Sequence, residues 1–346
     1  MSVEQGTPAP EAQGAPSPGS EQMRPGATAV GMIGVGDMGG AIARSVLRAG
    51  YEVTAFDLRR QAVDELVALG AKAAETVAGL CAESEVAVVV VMNDAQVTDV
   101  VSAILADPGQ VRTVIVSSTV LPSTVIRLQE RAAEAGLDLI DAPVSGGAEK
   151  AARGLLSVIV GGDDAPVRAC WPLLGAFGRN RFHVGPAGAG NAGKLVNNLL
   201  SLGGNMLQLE AMQLAVTYGI SEDDATRFLT VSAGDSRGIR TWGRYDRYRR
   251  SHNLAGTPAM YDLASKDVRN AAKAAGERGV TLPIAASIGA MMPDTLQQRD
   301  QFLERTGQIR DLPRCSVCGQ ELALPYRDSG VHPECRDLAP SGELPN

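Results

Sequence analysis

Three glycines spaced as G-x-G-x-x-G constrain the fold of this chain more than any other feature. Gly34, Gly36 and Gly39 directly follow an apolar, β-branched run at residues 30–33 and directly precede a helical pattern at residues 41–49. In that setting the first glycine permits a tight turn, the second lets the backbone approach a pyrophosphate, and the third lets the helix pack on the strand. The pattern predicts a dinucleotide-binding turn, with a purely structural glycine turn as the alternative.

An acidic residue ends the next β-branched run, about 20 residues beyond the glycines. This residue, Asp57, can accept hydrogen bonds from an adenosine ribose and repel a 2′-phosphate, which favours NAD. Arg59 and Arg60 follow at once and could bind such a phosphate, so NADP stays open. The alternative interpretation of Asp57 is a solvated strand end. The turn residues predicted to contact the cofactor are Gly34, Val35, Gly36, Asp37, Met38 and Gly39.

Strand and helix patterns alternate from residue 29 to about residue 183, which predicts an α/β fold with a Rossmann-type, doubly wound parallel sheet. From Leu195 to about Val216 and beyond, apolar residues recur at helical spacing, which predicts an all-α domain led by a long interdomain helix. The predicted divisions are a disordered tail (1–27), a dinucleotide-binding domain (28–187), a helical substrate and dimerisation domain (188–308), a zinc-binding module (312–338) and a second disordered tail (339–346).

Composition narrows the functional classes. A formal net charge of -7 and a pI near 5.2 argue against a general nucleic-acid or anionic-membrane surface. The longest apolar run, residues 86–92, has the length of a buried strand and is far shorter than a bilayer span. Residues 1–27 contain no apolar core of a signal peptide, so we expect a cytoplasmic protein.

Two further groups of residues suggest chemistry. Ser145, Gly146 and Gly147 follow a strand that ends at about residue 140, where open parallel sheets bind ligands, and a hydroxyl beside two backbone amides suits a carboxylate. Lys194 and Asn198 lie four residues apart, hence on one face of a helix, and together can orient a hydroxyl group. Alone, Lys194 would be read as a solvated helix lysine and Ser145 as a turn residue; their combination with the glycine turn favours a catalytic site.

The sequence at this point resembles the beta-hydroxyacid dehydrogenase family, which includes 3-hydroxyisobutyrate dehydrogenase and tartronate semialdehyde reductase. The resemblance spans roughly residues 28–300. It rests on five ordered motifs: Gly34 to Gly39, Ser117-Ser118-Thr119, Asp141 to Gly147, Gly188 to Asn198, and Lys266-Asp267.

The resemblance implies an NAD(P)-dependent oxidoreductase that is a homodimer or homotetramer and acts on a small anionic hydroxy acid or aldehyde. It makes Lys194 the catalytic acid/base, and it places Ser145, Gly146, Gly147 and Asn198 on the substrate. Thr119 and Lys266 are expected near the cofactor, and we add Met92, at the end of an apolar run, to the predicted cofactor contacts.

Hydroxy-acid oxidation needs a base for the proton that accompanies hydride loss. Lysine is ordinarily too basic for this role. Enclosure and a neighbouring positive nicotinamide ring would both disfavour the ammonium form of Lys194 and lower its pKa towards the working pH.

Two features depart from the family pattern. An aromatic residue usually stands seven positions before the lysine of the Lys-Asp pair, and here that position is Ala259, followed by Met260 and Tyr261. Residues 236–252 interleave arginines with aromatic residues, which could serve a dianionic substrate or a partner, or form a solvated helix face.

Near the C-terminus the chain carries C-x2-C followed by H-x2-C, a set that can give zinc four tetrahedral ligands. Because all four positions are filled, the predicted zinc is structural; redox-active or chance cysteines are the alternative. Cys81 and Cys170, in apolar context, are expected to be core residues. The predicted ligands are Cys315, Cys318, His332 and Cys335.

Two other functions stay open. One is an imine or carbonyl reductase on the same scaffold, against which Lys194 argues because related imine reductases usually lack this lysine. The other is a dinucleotide-sensing protein that uses the zinc module to contact a partner or nucleic acid, against which the intact set of Ser145, Lys194 and Asn198 argues.

Overall fold

The computed structural model describes residues 22–254, 260–306 and 316. The chain divides into two compact units, with the boundary between Lys194 and Leu195. The first unit is built on one mixed sheet, and the second is helical throughout the residues that the structure describes. The predicted α/β fold with a following helical domain is therefore confirmed, and the zinc ligands fall outside the described residues.

The sheet has the strand order β3-β2-β1-β4-β5-β6-β8-β7, with β9 paired to β8. Strands β1 to β6 pair in parallel, and the chain order reverses at β1, which has β2 on one side and β4 on the other. The crevice at such a reversal is where open sheets bind ligands. The strands are β1 (Ala29–Ile33), β2 (Glu52–Phe56), β3 (Lys72–Ala73), β4 (Val86–Val89), β5 (Thr113–Val116), β6 (Asp138–Asp141), β7 (Val144–Ser145), β8 (Ser157–Gly161) and β9 (Asn180–Gly185).

Helices cover both faces of the sheet because the strands are apolar on both sides. In β4, Val86 and Val88 belong to one buried cluster, whereas Ala87 and Val89 belong to the other. Near-continuous apolar strands of this kind are typical of doubly covered parallel sheets. The helices of the first unit are α1 (Asp37–Arg48), α2 (Arg60–Val67), α3 (Val77–Ala82), α4 (Asp94–Ala106), α5 (Pro122–Glu134), α6 (Ala148–Ala151) and α7 (Asp164–Phe177).

The far edge of the sheet differs from the prediction of a wholly parallel sheet. β8 runs antiparallel to both β6 and β7. The segment between β7 and β8 holds only the four-residue helix α6, and a parallel crossover needs a dozen or more residues. The chain therefore turns back on itself at this edge.

The described structure includes residues 22–27, which precede the predicted domain boundary at residue 28. The backbone N–H of Met23 donates to the carbonyl of Ala169 in α7 over 3.0 Å, and the Tyr51 hydroxyl donates to the Met23 carbonyl over 3.2 Å. The Met23 side chain packs against the buried cluster of α1 and α7. The apolar Met23, in an otherwise polar tail, is what attaches this segment.

A helical stretch leads into the second unit. Helix α8 (Ala189–Asn198) passes into a π-helical turn (Leu199–Gly203) and then into α9 (Gly204–Thr217), in agreement with the long helix predicted from residue 195. Met206 and Met212 of α9 pack with Met292 and Leu296 in the buried core. The remaining helices are α10 (Glu222–Leu229), α11 (Arg237–Arg240), α12 (Arg244–Leu254), α13 (Met260–Gly276) and α14 (Pro283–Thr306).

Buried ion pairs hold the helical unit together. The Arg249 side chain is fully buried and contacts carboxylate oxygens of Asp246 at 3.0 Å and Asp300 at 2.6 Å. Arg299 bridges Asp246 and Glu222, and Glu222 also accepts a hydrogen bond from the Trp242 indole over 2.8 Å. Among the described helices, none is long and apolar enough to cross a membrane.

Candidate active site

The glycine turn lies between β1 and α1 and has no room for side chains at two of its glycines. Gly34 adopts φ +83°, and a Cβ there would lie 2.3 Å from the Val90 carbonyl oxygen. A Cβ at Gly39 would lie 1.9 Å from the Gly34 carbonyl oxygen. At Gly36 the nearest atom to a Cβ belongs to the guanidinium of Arg59, the end of a long and largely exposed side chain, at 2.7 Å. The first and third glycines are therefore required by packing, and the second leaves a space.

That space faces the start of α1. The helix begins at Asp37 and its N-cap residue is Gly36, which has no side chain to accept from the first-turn amides. Val35 is buried in the core, so its side chain is not available to a ligand, whereas Met38 packs against the same core and is half-buried. The backbone amides of the first turn of α1 can serve a ligand as a helix N-terminus serves a phosphate.

Asp57 follows β2 and is turned towards the glycine turn. Its carboxylate accepts a hydrogen bond from the Val35 N–H over 2.8 Å and another from the Arg59 N–H over 2.9 Å. The Arg59 Nε lies 3.5 Å from the same carboxylate. Arg60 instead pairs with Asp64 and Glu75 on the surface. The structure thus brings Asp57 and Arg59 to the turn and directs Arg60 elsewhere.

The ends of β4 and β5 are joined by a serine hydroxyl. Ser118 Oγ accepts a hydrogen bond from the Val91 N–H over 2.8 Å. Met92 follows, partly exposed, with its N–H donating to Gln96 over 2.8 Å, and Thr119 is half-buried beside Ser118. Both predicted cofactor contacts therefore lie at the carboxyl edge of the sheet, where the glycine turn also lies.

The end of β6 carries a buried carboxylate whose role the sequence did not indicate. Asp141 is inaccessible to solvent and accepts hydrogen bonds from Gly188 N–H at 2.9 Å, from Asn191 N–H at 2.6 Å and from the Asn191 side-chain amide at 3.2 Å. Burial raises the pKa of Asp141, and these hydrogen bonds act in the opposite direction. A carboxylate ending an apolar strand was the only local signal, because a buried charge requires partners.

Ser145, Gly146 and Gly147 lie at the short strand β7 and just beyond it. Ser145 is half-buried and pairs in the sheet with Ser157. Gly146 and Gly147 adopt φ +145° and +83°, which L side chains rarely adopt. A Cβ at Gly146 would lie 2.9 Å from a Leu156 methyl group, whereas at Gly147 it would meet no described atom within 4 Å.

Lys194 and Asn198 both lie in α8, four residues apart, as the sequence predicted. Lys194 is half-buried. In the second unit, Asn198 is buried and its amide donates to Asp267 over 2.7 Å, while Lys266 lies 3.3 Å from the same carboxylate. Lys266 and Asn198 therefore share Asp267, a residue for which the sequence analysis predicted no role.

Other predictions meet the structure only in part. Ala259 and the proposed zinc ligands Cys315, Cys318, His332 and Cys335 lie outside the described residues. Within the described residues, no group of three or more His, Cys, Asp or Glu side chains could hold a metal ion. In the arginine-rich segment, Arg240 pairs with Asp235 at 2.8 Å, and Arg249 pairs with Asp300 in the buried ion-pair network.

Both units match known families. Residues 29–185 match the model described as the NAD binding domain of 6-phosphogluconate dehydrogenase, and residues 188–310 match that described as NAD-binding of NADP-dependent 3-hydroxyisobutyrate dehydrogenase. A 2-(hydroxymethyl)glutarate dehydrogenase of Eubacterium barkeri is 37% identical over 265 residues, which cover 74% of this chain and 85% of that enzyme. The chain belongs to the 3-hydroxyisobutyrate dehydrogenase family.

Other members and neighbours agree with this placement. An NAD-dependent L-serine dehydrogenase of Pseudomonas aeruginosa is 33% identical, covering 74% of this chain and 88% of that protein. The structure of Mycobacterium tuberculosis 3-hydroxyisobutyrate dehydrogenase with L-serine superposes with a TM-score of 0.68 at 26% identity, covering 77% of this chain and 93% of that one. A Streptomyces aurantiacus imine reductase, at 18% identity and a TM-score of 0.56 over 78% of this chain and 99% of that one, shares the fold alone.

Family membership settles the coarse function. The chain is an NAD(P)-dependent oxidoreductase that acts on CH–OH groups and interconverts hydroxy acids with their oxidised counterparts. This confirms the sequence prediction at the level of reaction class.

Proposed function

We propose that this enzyme acts on a 3-hydroxy acid, with Lys194 as general acid/base and NAD as the preferred coenzyme. The proposal rests on the position of the N-terminus of α8. Its first turn is hydrogen-bonded to Asp141 at the carboxyl end of β6, and Lys194 follows within the same helix. Because β1 and β6 belong to the parallel part of the sheet, the glycine turn lies at the same edge.

The residues at this edge fit a dinucleotide. The space at Gly36 and the first-turn amides of α1 suit a pyrophosphate, and Asp57 suits the ribose that follows it. A bound nicotinamide supplies the acceptor or donor of hydride. Thr119 and Met92, at the ends of the adjacent strands, and Lys266 in the second unit are the further residues that we assign to the cofactor.

Lys194 handles the proton. In its neutral form the Lys194 Nζ accepts the proton of the substrate hydroxyl while the carbinol C–H bond is cleaved. In the reverse direction, the Lys194 ammonium returns the proton to the developing alkoxide. Asn198, four residues on and on the same side of α8, orients the same hydroxyl; its amide retains a second hydrogen beyond the one donated to Asp267.

A carboxylate anchor accounts for an acidic substrate. The Ser145 hydroxyl and the backbone amides of Gly146 and Gly147 can bind two carboxylate oxygens, and at Gly147 no described atom lies within 4 Å of a Cβ position. The names of the relatives support a 3-hydroxy acid, since 2-(hydroxymethyl)glutarate, L-serine and 3-hydroxyisobutyrate all carry the hydroxyl on the carbon next to the one that bears the carboxylate.

The surroundings of Asp57 favour NAD over NADP. A 2′-phosphate at the ribose would meet the Asp57 carboxylate, and a like charge there is repelled. Arg60, one of two arginines that could bind such a phosphate, is engaged by Asp64 and Glu75. Arg59 is already paired with Asp57.

We also propose that the enzyme is a homodimer or homotetramer that associates through its helical unit. A groove between α9 and α14 is lined by Met206, Leu207, Ile284 and Met291, and the last three side chains are largely exposed. Exposed apolar patches of this kind mark association surfaces. Leu207→Glu should reduce the mass measured by light scattering, whereas Val231→Glu, at an exposed apolar residue outside the groove, should not.

The spacing of Cys315, Cys318, His332 and Cys335 supports a further proposal, a structural zinc site near the C-terminus. Metal analysis of the purified protein should find one zinc per chain. Cys318→Ser should lose it, while Cys170→Ser should retain it.

A screen of 3-hydroxy acids with NAD and NADP, read by reduced-nicotinamide absorbance, tests the proposed function. The panel includes 3-hydroxyisobutyrate, L-serine and 2-(hydroxymethyl)glutarate. We expect turnover of at least one acid, and Lys194→Ala should abolish it while NAD still binds. Near-normal turnover by Lys194→Ala would refute the role given to this lysine.

A further inference from the structure

Asp141 and Asn191 form a buried hydrogen-bonded pair next to the site. Both side chains are inaccessible to solvent. The three N–H groups that Asp141 accepts come from Gly188 and Asn191, at the first turn of α8. Acceptance from helix N-terminal amides by a carboxylate is favoured both by hydrogen bonding and by the helix dipole. The carboxylate thus caps α8 from a strand that precedes it by about 50 residues.

The pair also reaches the segment after β5. Asn191 Oδ1 accepts a hydrogen bond from the Val120 N–H over 2.9 Å. Val120 adjoins Thr119, the residue assigned to the cofactor, and Ser118 is in turn bonded to Val91 beyond β4. Two sets of hydrogen bonds, connected by the backbone from Ser118 to Val120, therefore join the ends of β4, β5 and β6 to the helix that carries Lys194.

Close packing leaves this part of α8 little freedom. A Cβ at Gly190 would lie 2.6 Å from the Ile159 carbonyl oxygen and 2.8 Å from that of Asp141. A Cβ at Gly161 would lie 2.4 Å from the Asp141 carboxylate. The backbone of α8 consequently rests directly on β6 and β8, and the direction of its hydrogen bonds to Asp141 sets its position.

We propose that Asp141 is a positioning residue for Lys194. Together with Asn191 it fixes the first turn of α8 against the carboxyl edge of the sheet, and so holds Lys194 where it can exchange a proton with the substrate hydroxyl. The inference rests on the proposed role of Lys194. Asn191 precedes Lys194 by three residues and shares its side of the helix, so displacement of Asn191 displaces Lys194.

The carboxylate is specific for this task because every group that faces it is a donor. An asparagine at position 141 would have nearly the same size, but its N–H2 group would replace one of the two oxygens and would meet the donor Gly188 on one side or the donors of Asn191 on the other. The mismatch would shift α8 without opening a cavity. A displacement of about 1 Å can lower a catalytic rate roughly 100-fold.

The test compares Asp141→Asn with Asp138→Asn, an exposed carboxylate on the same strand. Both are assayed with the acid of the above panel that has the highest kcat/KM. For Asp141→Asn we expect kcat to fall roughly 100-fold. We expect the Kd for NAD to stay unchanged and the solvent isotope effect on kcat to rise, since proton transfer becomes limiting. Asp138→Asn should match the wild type in all three quantities.

Asn191→Ala is the second variant, in case Asp141→Asn does not fold. It loses the bond to Val120 and one bond to Asp141 but keeps the backbone bond, so kcat should fall about tenfold. Far-ultraviolet circular dichroism and a melting curve establish that each variant is folded at the assay temperature.

The outcomes separate the two proposals. If Lys194→Ala is inactive while folded Asp141→Asn or Asn191→Ala retains wild-type kcat and isotope effect, the positioning role is refuted and the role of Lys194 stands. A lower melting temperature with unchanged kcat likewise refutes it, because that is the signature of a purely structural residue. If Lys194→Ala retains near-normal rates, the proposed function itself fails.

Discussion

The Asp57 carboxylate accepts a hydrogen bond from the backbone N–H of Val35 across 2.8 Å, which links the end of β2 to the glycine turn. Asp57→Ser should therefore lower kcat/KM for NAD, by about tenfold for the loss of one charged hydrogen-bonding group. It should raise kcat/KM for NADP, since the repulsion of a 2′-phosphate disappears and Arg59 is released. Steady-state kinetics with both coenzymes measure the change, and Glu65→Gln, at a surface carboxylate of α2 that pairs with Arg44, is the control. An unchanged coenzyme ratio would contradict the assignment of Asp57.

Substitutions at two glycines of the turn should distinguish an effect on NAD binding from an effect on folding. Gly39→Ala places a methyl group against the Gly34 carbonyl, and we expect a loss of about 1–3 kcal/mol in unfolding free energy from overpacking. Gly36→Ala meets only the Arg59 guanidinium, which can move, so the fold should be retained. Its NAD affinity should nevertheless fall because the methyl group occupies the space for the pyrophosphate. Urea titration and calorimetric NAD titration of the two variants check this, and equal affinity of Gly36→Ala and wild type would contradict it.

The buried arginine of the helical unit should be costly to remove. Arg249→Ala leaves Asp300 without its partner and Asp246 with Arg299 alone, and breaking a buried ion pair typically costs about 3–5 kcal/mol. Arg227, which is largely exposed and pairs with Asp224, should tolerate the same change with almost no effect. Unfolding of each variant, followed by circular dichroism in urea, measures the difference. Equal stabilities would show that the Arg249 network contributes little.

Both described cysteines should be unreactive in the folded protein. Cys81 and Cys170 are free and buried, which confirms their predicted place in the core. Burial raises the pKa of the Cys81 thiol to about 11 and also raises that of Cys170, so little thiolate is present at pH 8. Iodoacetamide at pH 8 should leave both unmodified, as read by peptide mass spectrometry, and should modify both in 8 M urea. Rapid labelling of either thiol in the native protein would contradict the packing.

The raised pKa of Cys81 also predicts that the free energy of unfolding decreases at alkaline pH. A thiol whose pKa is raised on folding stabilises the protein below the unfolded pKa of about 9, and this contribution is lost as the pH rises towards 11. The difference in unfolding free energy between wild type and Cys81→Ala should therefore narrow from pH 8 to pH 11. A constant difference would show that Cys81 does not ionise on unfolding.

The sequence predicted those parts of the fold that depend on neighbouring residues. The glycine turn, the apolar strands and the helical periodicity after residue 195 are local patterns, and each was found in place. The far edge of the sheet was missed because β7 is only two residues long and β9 carries no fully buried residue. The π-helical turn at Leu199–Gly203 was missed because helical periodicity does not register a single wide turn.

The candidate site could likewise be predicted only where its residues stand in local sequence motifs. Ser145, Lys194 and Asn198 stand in motifs that can be read along the chain. The hydrogen bond between Asp141 and Asn191 spans 50 positions, and that between Asn198 and Asp267 spans 69. Neither contact can therefore be predicted from a local sequence pattern. Only the improbability of an unpartnered carboxylate at the end of an apolar strand indicated that Asp141 had partners.

The N-cap of α1 is Gly36, which has no side chain, whereas α3, α4, α10 and α11 have N-caps whose side chains accept from the first turn, namely Thr76, Asn93, Ser221 and Ser236. A pyrophosphate bound at the start of α1, as proposed above, would supply the acceptor that Gly36 lacks and would stabilise the folded state. At 100 times its Kd a ligand of this kind adds about 2.7 kcal/mol of stability. In a cell, resistance of the enzyme to unfolding and proteolysis would therefore depend on the coenzyme concentration. The protein would persist when the coenzyme is plentiful and would be degraded faster when the coenzyme concentration falls.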